Sequence, residues 1–292
     1  MTNATGSAMP AVFLKDRSLL FVSGAEAQSF LQNLITTDIT ALGPDEARPG
    51  ALLMPQGKIL FDFMIWQDGD GYMIETDAGQ RDGLLKRLTM YKLRAAVTLS
   101  PSTEEGVTVS WDEGAEGVRY SQGVRDSRFA KAGITLIRRP GKHGDGSEAL
   151  YNALRISHGI VTSGSDFALQ DAFPHDVLMD FNGGLSFRKG CYVGQEVVSR
   201  MQHRGTARRR VVTVSAATAL PETGTEITAA GKPVGTLGSV DGDHGLAIVR
   251  IDRVGAAMAA DTPLLAGNTP VSLVLPAWSG LVFPASADEA SA

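Results

Sequence analysis

Lys189-Gly190-Cys191-Tyr192-Val193-Gly194-Gln195-Glu196 is the stretch on which the reading of this chain turns. Two glycines bracket Cys191-Tyr192-Val193, a spacing that permits a tight loop and close approach of backbone to a ligand. From Gln195 onward the pattern becomes helical, with Val197, Val198 and Met201 as its inner face. Cys191 is therefore expected just before a helix N-terminus. Arg188, Lys189, Arg200, Arg204, Arg208, Arg209 and Arg210 surround it, opposed within the stretch only by Glu196. Helix N–H groups and cations stabilise a thiolate, the form that attacks electrophiles or ligates a soft metal. The spacing leaves a second role open, because free cysteine is among the most buried residue types and packs well in a turn. The arginines likewise fit either an anion site or a solvated strand opening at Arg208-Arg209-Arg210. Aromatic residues are not interleaved with them, so direct nucleic-acid binding is not expected.

The rest of the chain sets bounds on this loop. At 292 residues, 43% hydrophobic and 20% charged, it can bury a core without disulfide or metal staples. The formal net charge of −5 makes any basic site a local one. Cys191 is the single cysteine. No internal disulfide can form, and a reducing compartment is expected, read here as the cytoplasm. One thiolate cannot build a four-thiolate cluster site. The five histidines (His143, His158, His175, His203 and His244) show neither H-x-x-H nor HExxH spacing. No autonomous metal site is expected, and Cys191 can at most share a metal with a partner. Met1 to Pro10 shows no targeting signal, and no apolar run has the length of a membrane span.

Upstream, Phe13-Leu14 and Leu19-Leu20-Phe21-Val22 read as a hairpin, followed by a helix that Ser23-x-x-Glu26 would cap. Strands are expected at 50–54 and 59–66, then a turn at Gln67-Asp68-Gly69-Asp70-Gly71 leading into Tyr72 to Glu75. A helix from about Gly79 to Tyr91 and a strand at 95–100 complete the cycle. A similar cycle recurs over about 107–154, with its helix at 148–158 stopped by Gly159. This order predicts helices layered on an antiparallel sheet, an α+β body. After Thr206 the runs shorten to 211–214, 226–228, 234–237, 246–249 and 271–275, separated by turn clusters. Such spacing predicts a small β-barrel or sandwich. The expected division is a body at 10–205, a barrel at 206–284 and a flexible acidic tail at 285–292.

Asp62 stands out within Lys58-Ile59-Leu60-Phe61-Asp62-Phe63. Alternation puts it on one face with Leu60 and Met64, opposite Phe61 and Phe63. An acid among apolar neighbours is paired, protonated or functional, or else lies on a solvent-facing edge.

The octapeptide resembles the K-G-C-Y-x-G-Q-E signature of the YgfZ family, relatives of the glycine cleavage aminomethyltransferase. Phe30 to Asp38, Leu53 to Phe63, Tyr91-Lys92-Leu93-Arg94, Phe173-Pro174-His175 and Val234-Gly235 also resemble the family, so the likeness spans nearly the whole chain. The resemblance implies two ferredoxin-like modules around a central folate-sized hole, followed by a C-terminal β-barrel. It implies tetrahydrofolate as ligand, held by Lys189, Gly190, Tyr192, Gly194, Gln195, Glu196, Arg155 and Asn33. It implies service to iron–sulfur protein assembly through Cys191, and only indirectly to tRNA thiolation. An A-type iron–sulfur carrier or cluster-dependent client enzymes would be the partners. Asp62 falls where the aminomethyltransferases carry their catalytic carboxylate, which implies the alternative of folate-dependent one-carbon transfer. Arg155, Gly159 and Asp166 resemble the R-x-x-x-G…D stretch of the folate pocket. Ser157 stands where those enzymes have a glutamate.

Overall fold

The computed structural model describes residues 10–112 and 122–284. The tail expected at 285–292 lies outside the described residues. The chain opens with β1 (Ala11–Leu14), β2 (Arg17–Ser23) and the short helix α1 (Ala27–Gln32). The body continues with β3 (Glu46–Leu53), β4 (Ile59–Asp68), β5 (Gly71–Asp77), α2 (Ala78–Lys92) and β6 (Thr98–Pro101). A second run holds β7 (Val107–Asp112), β8 (Val124–Asp126), α3 (Ser127–Lys131), β9 (Thr135–Pro140) and α4 (Glu148–Ser157). All but one of the strand pairings in the body are antiparallel. The exception, β3 beside β8, joins the halves β6-β2-β5-β4-β3 and β8-β9-β7-β1 into one nine-stranded sheet.

Two local expectations fail for tertiary reasons. β1 and β2 do not form a hairpin: β1 pairs with β7, while β2 pairs with β5 and β6. Lys15 and Asp16 carry the chain from one half of the sheet to the other. The capping box at Ser23 does not form either. Glu26 has no capping hydrogen bond to its own helix, and its Oε2 accepts from the Ala96 backbone N–H at 2.6 Å. The carboxylate ties α1 to the chain leaving α2 instead.

Alternation along β4 holds. Phe63 and Ile65 pack with Leu31, Leu84 and Leu88 of the helical layer, and Met64 and Trp66 pack on the other face with Leu19, Val107 and Val124. At Asp68↔Gly71 the strand turns back as a hairpin into β5.

The last part of the chain begins with α5 (Gln195–His203) and closes a six-stranded barrel of β10 (Arg209–Ala216), β11 (Glu226–Ala229), β12 (Lys232–Asp241), β13 (His244–Arg250), β14 (Leu264–Ala266) and β15 (Thr269–Val274). Helix α6 (Ile251–Ala259) packs on it. The sequence reading found five of these strands. It missed α6, and it missed β14, which is only three residues long. Body and barrel share a core: Leu53, Ile59 and Val198 pack with Val211, Leu246 and Ile248. Arg210 crosses this joint and binds Asp180 at 2.8 Å and the His175 carbonyl at 2.7 Å.

The two sheet halves are also locked by charge. Arg138 of β9 is 1% exposed and binds both carboxylate oxygens of Glu75 on β5, as well as Asp126 of β8 at 2.8 Å. Arg17 reaches the same Glu75 at 2.7 Å, and Arg128 reaches the same Asp126 at 2.7 Å. Burial alone would raise the Glu75 pKa, but the Arg138 and Arg17 guanidiniums outweigh it and hold the carboxyl at about 2, below its usual 4.5. Glu75 therefore contributes stability that is complete above pH 4.5 and is lost as pH falls towards 2. Glu75→Gln should lower stability at neutral pH by about 3 kcal/mol, because it leaves buried Arg138 with Asp126 as its one remaining carboxylate. Urea titrations at pH 7 and at stepped acid pH should show that loss and a shallower acid limb in the variant.

Candidate functional site

Two sites emerge, and they are separate. The first is the Cys191 loop. Cys191 is exposed. Its neighbours anchor it from both sides. Lys189 is buried, and its ammonium donates to the carbonyls of Ile35 and Thr37, both at 2.7 Å, just past the end of α1. It also lies 5.4 Å from the Tyr192 ring centroid. Burial lowers the Lys189 pKa to about 8, against a partial opposing pull from Asp38. The Tyr192 ring is buried and its hydroxyl donates to the Ser186 carbonyl at 3.3 Å. Burial pushes its phenol well above the usual value. Gly194 adopts φ +80°, and a Cβ there would lie 2.5 Å from the Met54 carbonyl oxygen. Glycine is thus required at 194, where the loop meets the Pro55-Gln56-Gly57 turn. Gly190 has open space and no such need.

Four of the arginines are paired with acids, three of them with acids distant in sequence. Arg210 pairs with Asp180, Arg209 with Asp171 at 3.3 Å, Arg208 with Asp252 at 4.0 Å and Arg200 with Glu196 at 2.6 Å. These pairs offset part of the local excess.

The second site is a cavity of about 430 Å³ between the sheet, α4, the 159–182 segment and the barrel. Its volume suits a small organic ligand. Asp62 and Arg155 line it, together with Arg17, Arg128, Arg138, Tyr151 and Trp278. Arg155 fixes the wall. Its Nη1 binds Asp166 at 2.7 Å and its Nη2 binds Ser239 of β12, while Asp166 accepts from the Thr162 and Ser239 backbone N–H groups, each at 2.7 Å. Gly159, at φ +72°, stops α4 against Pro276, where a Cβ would clash. Ser157 donates to the Leu154 carbonyl and does not line the cavity.

Asp62 is the best-placed chemical group in the cavity. Its Oδ1 accepts from Ser163 Oγ at 2.6 Å and from Gln80 Nε2 at 3.1 Å. Neither Gln80 nor Ser163 carried a sequence signal. They lie 18 and 101 residues from Asp62, and only the packing of α2 and the 159–166 turn on β4 unites them.

The structure therefore brings Asp62 and Arg155 together and keeps Lys189, Gly190, Tyr192, Gly194, Gln195, Glu196 and Asn33 off the cavity wall. These residues have other places in the fold. Lys189, Tyr192 and Gly194 shape the loop, Glu196 is exposed and paired with Arg200, Gln195 opens α5, and Asn33 is the exposed C-cap of α1. Among the described residues, no three His, Cys, Asp or Glu side chains converge on a metal-sized point, and no helix is long and apolar enough to cross a membrane.

Comparison with known proteins fits this geometry. Residues 208–281 match the family model of the CAF17 C-terminal β-barrel domain. The human iron–sulfur cluster assembly factor IBA57, mitochondrial, is 30% identical, over 85% of this chain and 80% of its own length. The chain belongs to the IBA57 family. The mouse IBA57 protein is 29% identical over 94% of this chain and 87% of its own. An IBA57 homolog of Pyricularia oryzae is 33% identical over 68% of this chain, which spans only 55% of that relative. The crystal structure of the glycine cleavage system aminomethyltransferase T from Bartonella henselae superposes with a TM-score of 0.68 at 16% identity, covering 91% of this chain and 85% of the other. This IBA57-family chain thus has the aminomethyltransferase-like fold with a closed six-stranded C-terminal barrel. The cytoplasmic location expected above is corrected, because these relatives are named as mitochondrial proteins. A single unpaired cysteine indicates a reducing environment, and that property does not single out the cytosol.

The anchoring of the loop is testable. A polar maleimide should modify Cys191 stoichiometrically in the native protein, without denaturant. Lys189→Met leaves two carbonyls without their donor and should cost about 2 kcal/mol. Hydrogen exchange should quicken at 189–194 in that variant and stay unchanged in the barrel strands.

Proposed function

We propose that this IBA57-family chain is an accessory factor for iron–sulfur protein assembly that binds tetrahydrofolate in its cavity and lends the Cys191 thiolate to a cluster shared with a carrier protein. The observation that carries this reading is the exposure of Cys191 on a loop whose flanking residues, Lys189 and Tyr192, are buried. Packing in a turn, the other role open to the cysteine, would have buried the sulfur. One thiolate supplies one ligand, so the carrier, of the A type, must supply the rest. The names of the relatives support the assembly role. Thiolation of tRNA would follow indirectly, through cluster-dependent client enzymes.

The cavity fits a reduced folate in volume and donor set. Asp62 offers an acceptor for heterocycle or amine N–H groups, and the Arg17 and Arg128 guanidiniums offer donors for carboxylates. When bound, tetrahydrofolate supplies a carrier for one-carbon groups. Asp62 orients and electrostatically favours the N–H face of such a ligand, while Trp278 and Tyr151 add aromatic surface to the cavity wall.

A second reading, tetrahydrofolate-dependent aminomethyl transfer or demethylation using Asp62, is favoured by the position of that carboxylate on the cavity wall. Against it stands Ser157, whose hydroxyl is turned back onto its own helix at the place where the aminomethyltransferases have a glutamate.

Mixing the protein with an A-type carrier, iron and sulfide should produce a visible charge-transfer spectrum that is lost in Cys191→Ser. An unchanged spectrum in that variant would remove the ligand role. Turnover of an aminomethyl donor with tetrahydrofolate, abolished in Asp62→Asn, would establish the second reading instead.

A further inference from the structure

Asp62 is held by a closed ring of hydrogen bonds drawn from three elements. Ser163 Oγ donates to Asp62 Oδ1 at 2.6 Å. Gln80 Nε2 donates toward both partners, lying 3.1 Å from Asp62 Oδ1 and 2.9 Å from Ser163 Oγ. Gln80 Oε1 accepts from the Asp62 backbone N–H at 3.4 Å, which completes the ring. The Ser163 hydroxyl uses its only hydrogen on Asp62, and the Gln80 amide N–H is shared between Ser163 Oγ and Asp62 Oδ1, so Oδ1 accepts from both residues. Oδ2 has no partner among the described residues, and Asp62 lines the cavity.

We propose that Gln80 and Ser163 are positioning residues that turn Asp62 so that Oδ2 is a fixed hydrogen-bond acceptor in the cavity, and that the cavity selects a ligand carrying an N–H donor at that point. The ring fixes both the rotation of the carboxylate and the polarity of its free edge. A freely rotating carboxylate would have to give up side-chain entropy on binding, and a preorganised one does not. The ring also explains why α2 starts as it does. Asp77 caps Gly79, and Gln80 follows in the first turn, pointing back to β4. Ser163 lies in the turn that leaves Gly159, held by Asp166 through the Thr162 N–H.

The inference rests on the cavity being the ligand site proposed above, and two probes separate the claims. Tetrahydrofolate tests the folate reading. Isocytosine, a small heterocycle with a ring N–H and an amino group, tests only the N–H selection. Binding is followed by calorimetry for the first and by ligand-observed NMR for the second. Ser163→Ala should weaken whichever probe binds by about tenfold, the scale of one hydrogen bond to a charged group. Ser163→Thr, which keeps the hydroxyl, should restore affinity to within about twofold. Asp62→Asn can keep the ring through its amide oxygen while turning the free edge into a donor, and should abolish binding with the melting temperature preserved. Isocytosine binding without tetrahydrofolate binding would overturn the folate reading and leave this one standing. Equal affinity in Ser163→Ala and the native chain, no rescue by threonine, or failure of both probes to bind the native chain would overturn the inference.

Discussion

The fold depends on one buried cation. Arg138 enters from β9 and is held by Glu75 of β5 and Asp126 of β8, so it spans the two halves of the sheet on the side away from the helical layer formed by α1 and α2. Burying a guanidinium is costly, and in a low-dielectric interior it is tolerated only when paired carboxylates return the lost hydration. A buried ion pair contributes less to net stability than an apolar core of equal volume would. What it adds is selectivity, because wrong registers of the two halves leave the charge unpaired. The halves also meet through the short parallel pairing of β3 with β8 and through the apolar cluster of Met64, Trp66, Val107 and Val124, neither of which carries a charge that must be matched. Arg17 and Arg128 extend the cluster to the cavity wall, so the interaction that sets the register also forms part of the ligand-facing surface.

A consequence is that rigidity and chemistry are divided. The cavity is framed by the ion cluster on one side and by Arg155, Asp166 and Ser239 on the other, which ties helix, turn and barrel together. The Cys191 loop is anchored independently, through Lys189 to the end of α1 and through Gly194 to the turn after β3. Nothing in the loop lines the cavity. Val177 and Met179 line the cavity and pack in one cluster with Tyr192 of the loop, as do Leu53 of β3 and Ile59 of β4.

Much of the architecture was legible because it is written in periodicity. Alternation along 59–66, the Asp68-Gly69-Asp70-Gly71 turn, the helices at 78–92 and 148–157 and the short strands after 208 are local signals, and the backbone follows them. The failures are equally specific. Lys15-Asp16 looked like a hairpin turn because the residues on either side are strand formers, but strand partners are chosen by tertiary packing. Ser23 and Glu26 matched a capping box, but Ala96 offered the glutamate a better-placed donor. The arginines at 208–210 looked unopposed because Asp171, Asp180 and Asp252 are remote in sequence.

For the site, the residues with distinctive local chemistry could be found in advance: Cys191 as the single thiol, Asp62 as an acid on an apolar face, and Gly159 as a helix stop, whereas Arg155 was singled out only by the family resemblance. Those properties belong to the residue and its immediate neighbours, so the sequence by itself determined them. The exposure of Cys191, the burial of Lys189, and the ring of Gln80 and Ser163 around Asp62 were decided only by tertiary structure. Solvent access and hydrogen-bond partnership depend on which distant segments arrive at the same place, and no local pattern encodes that arrival.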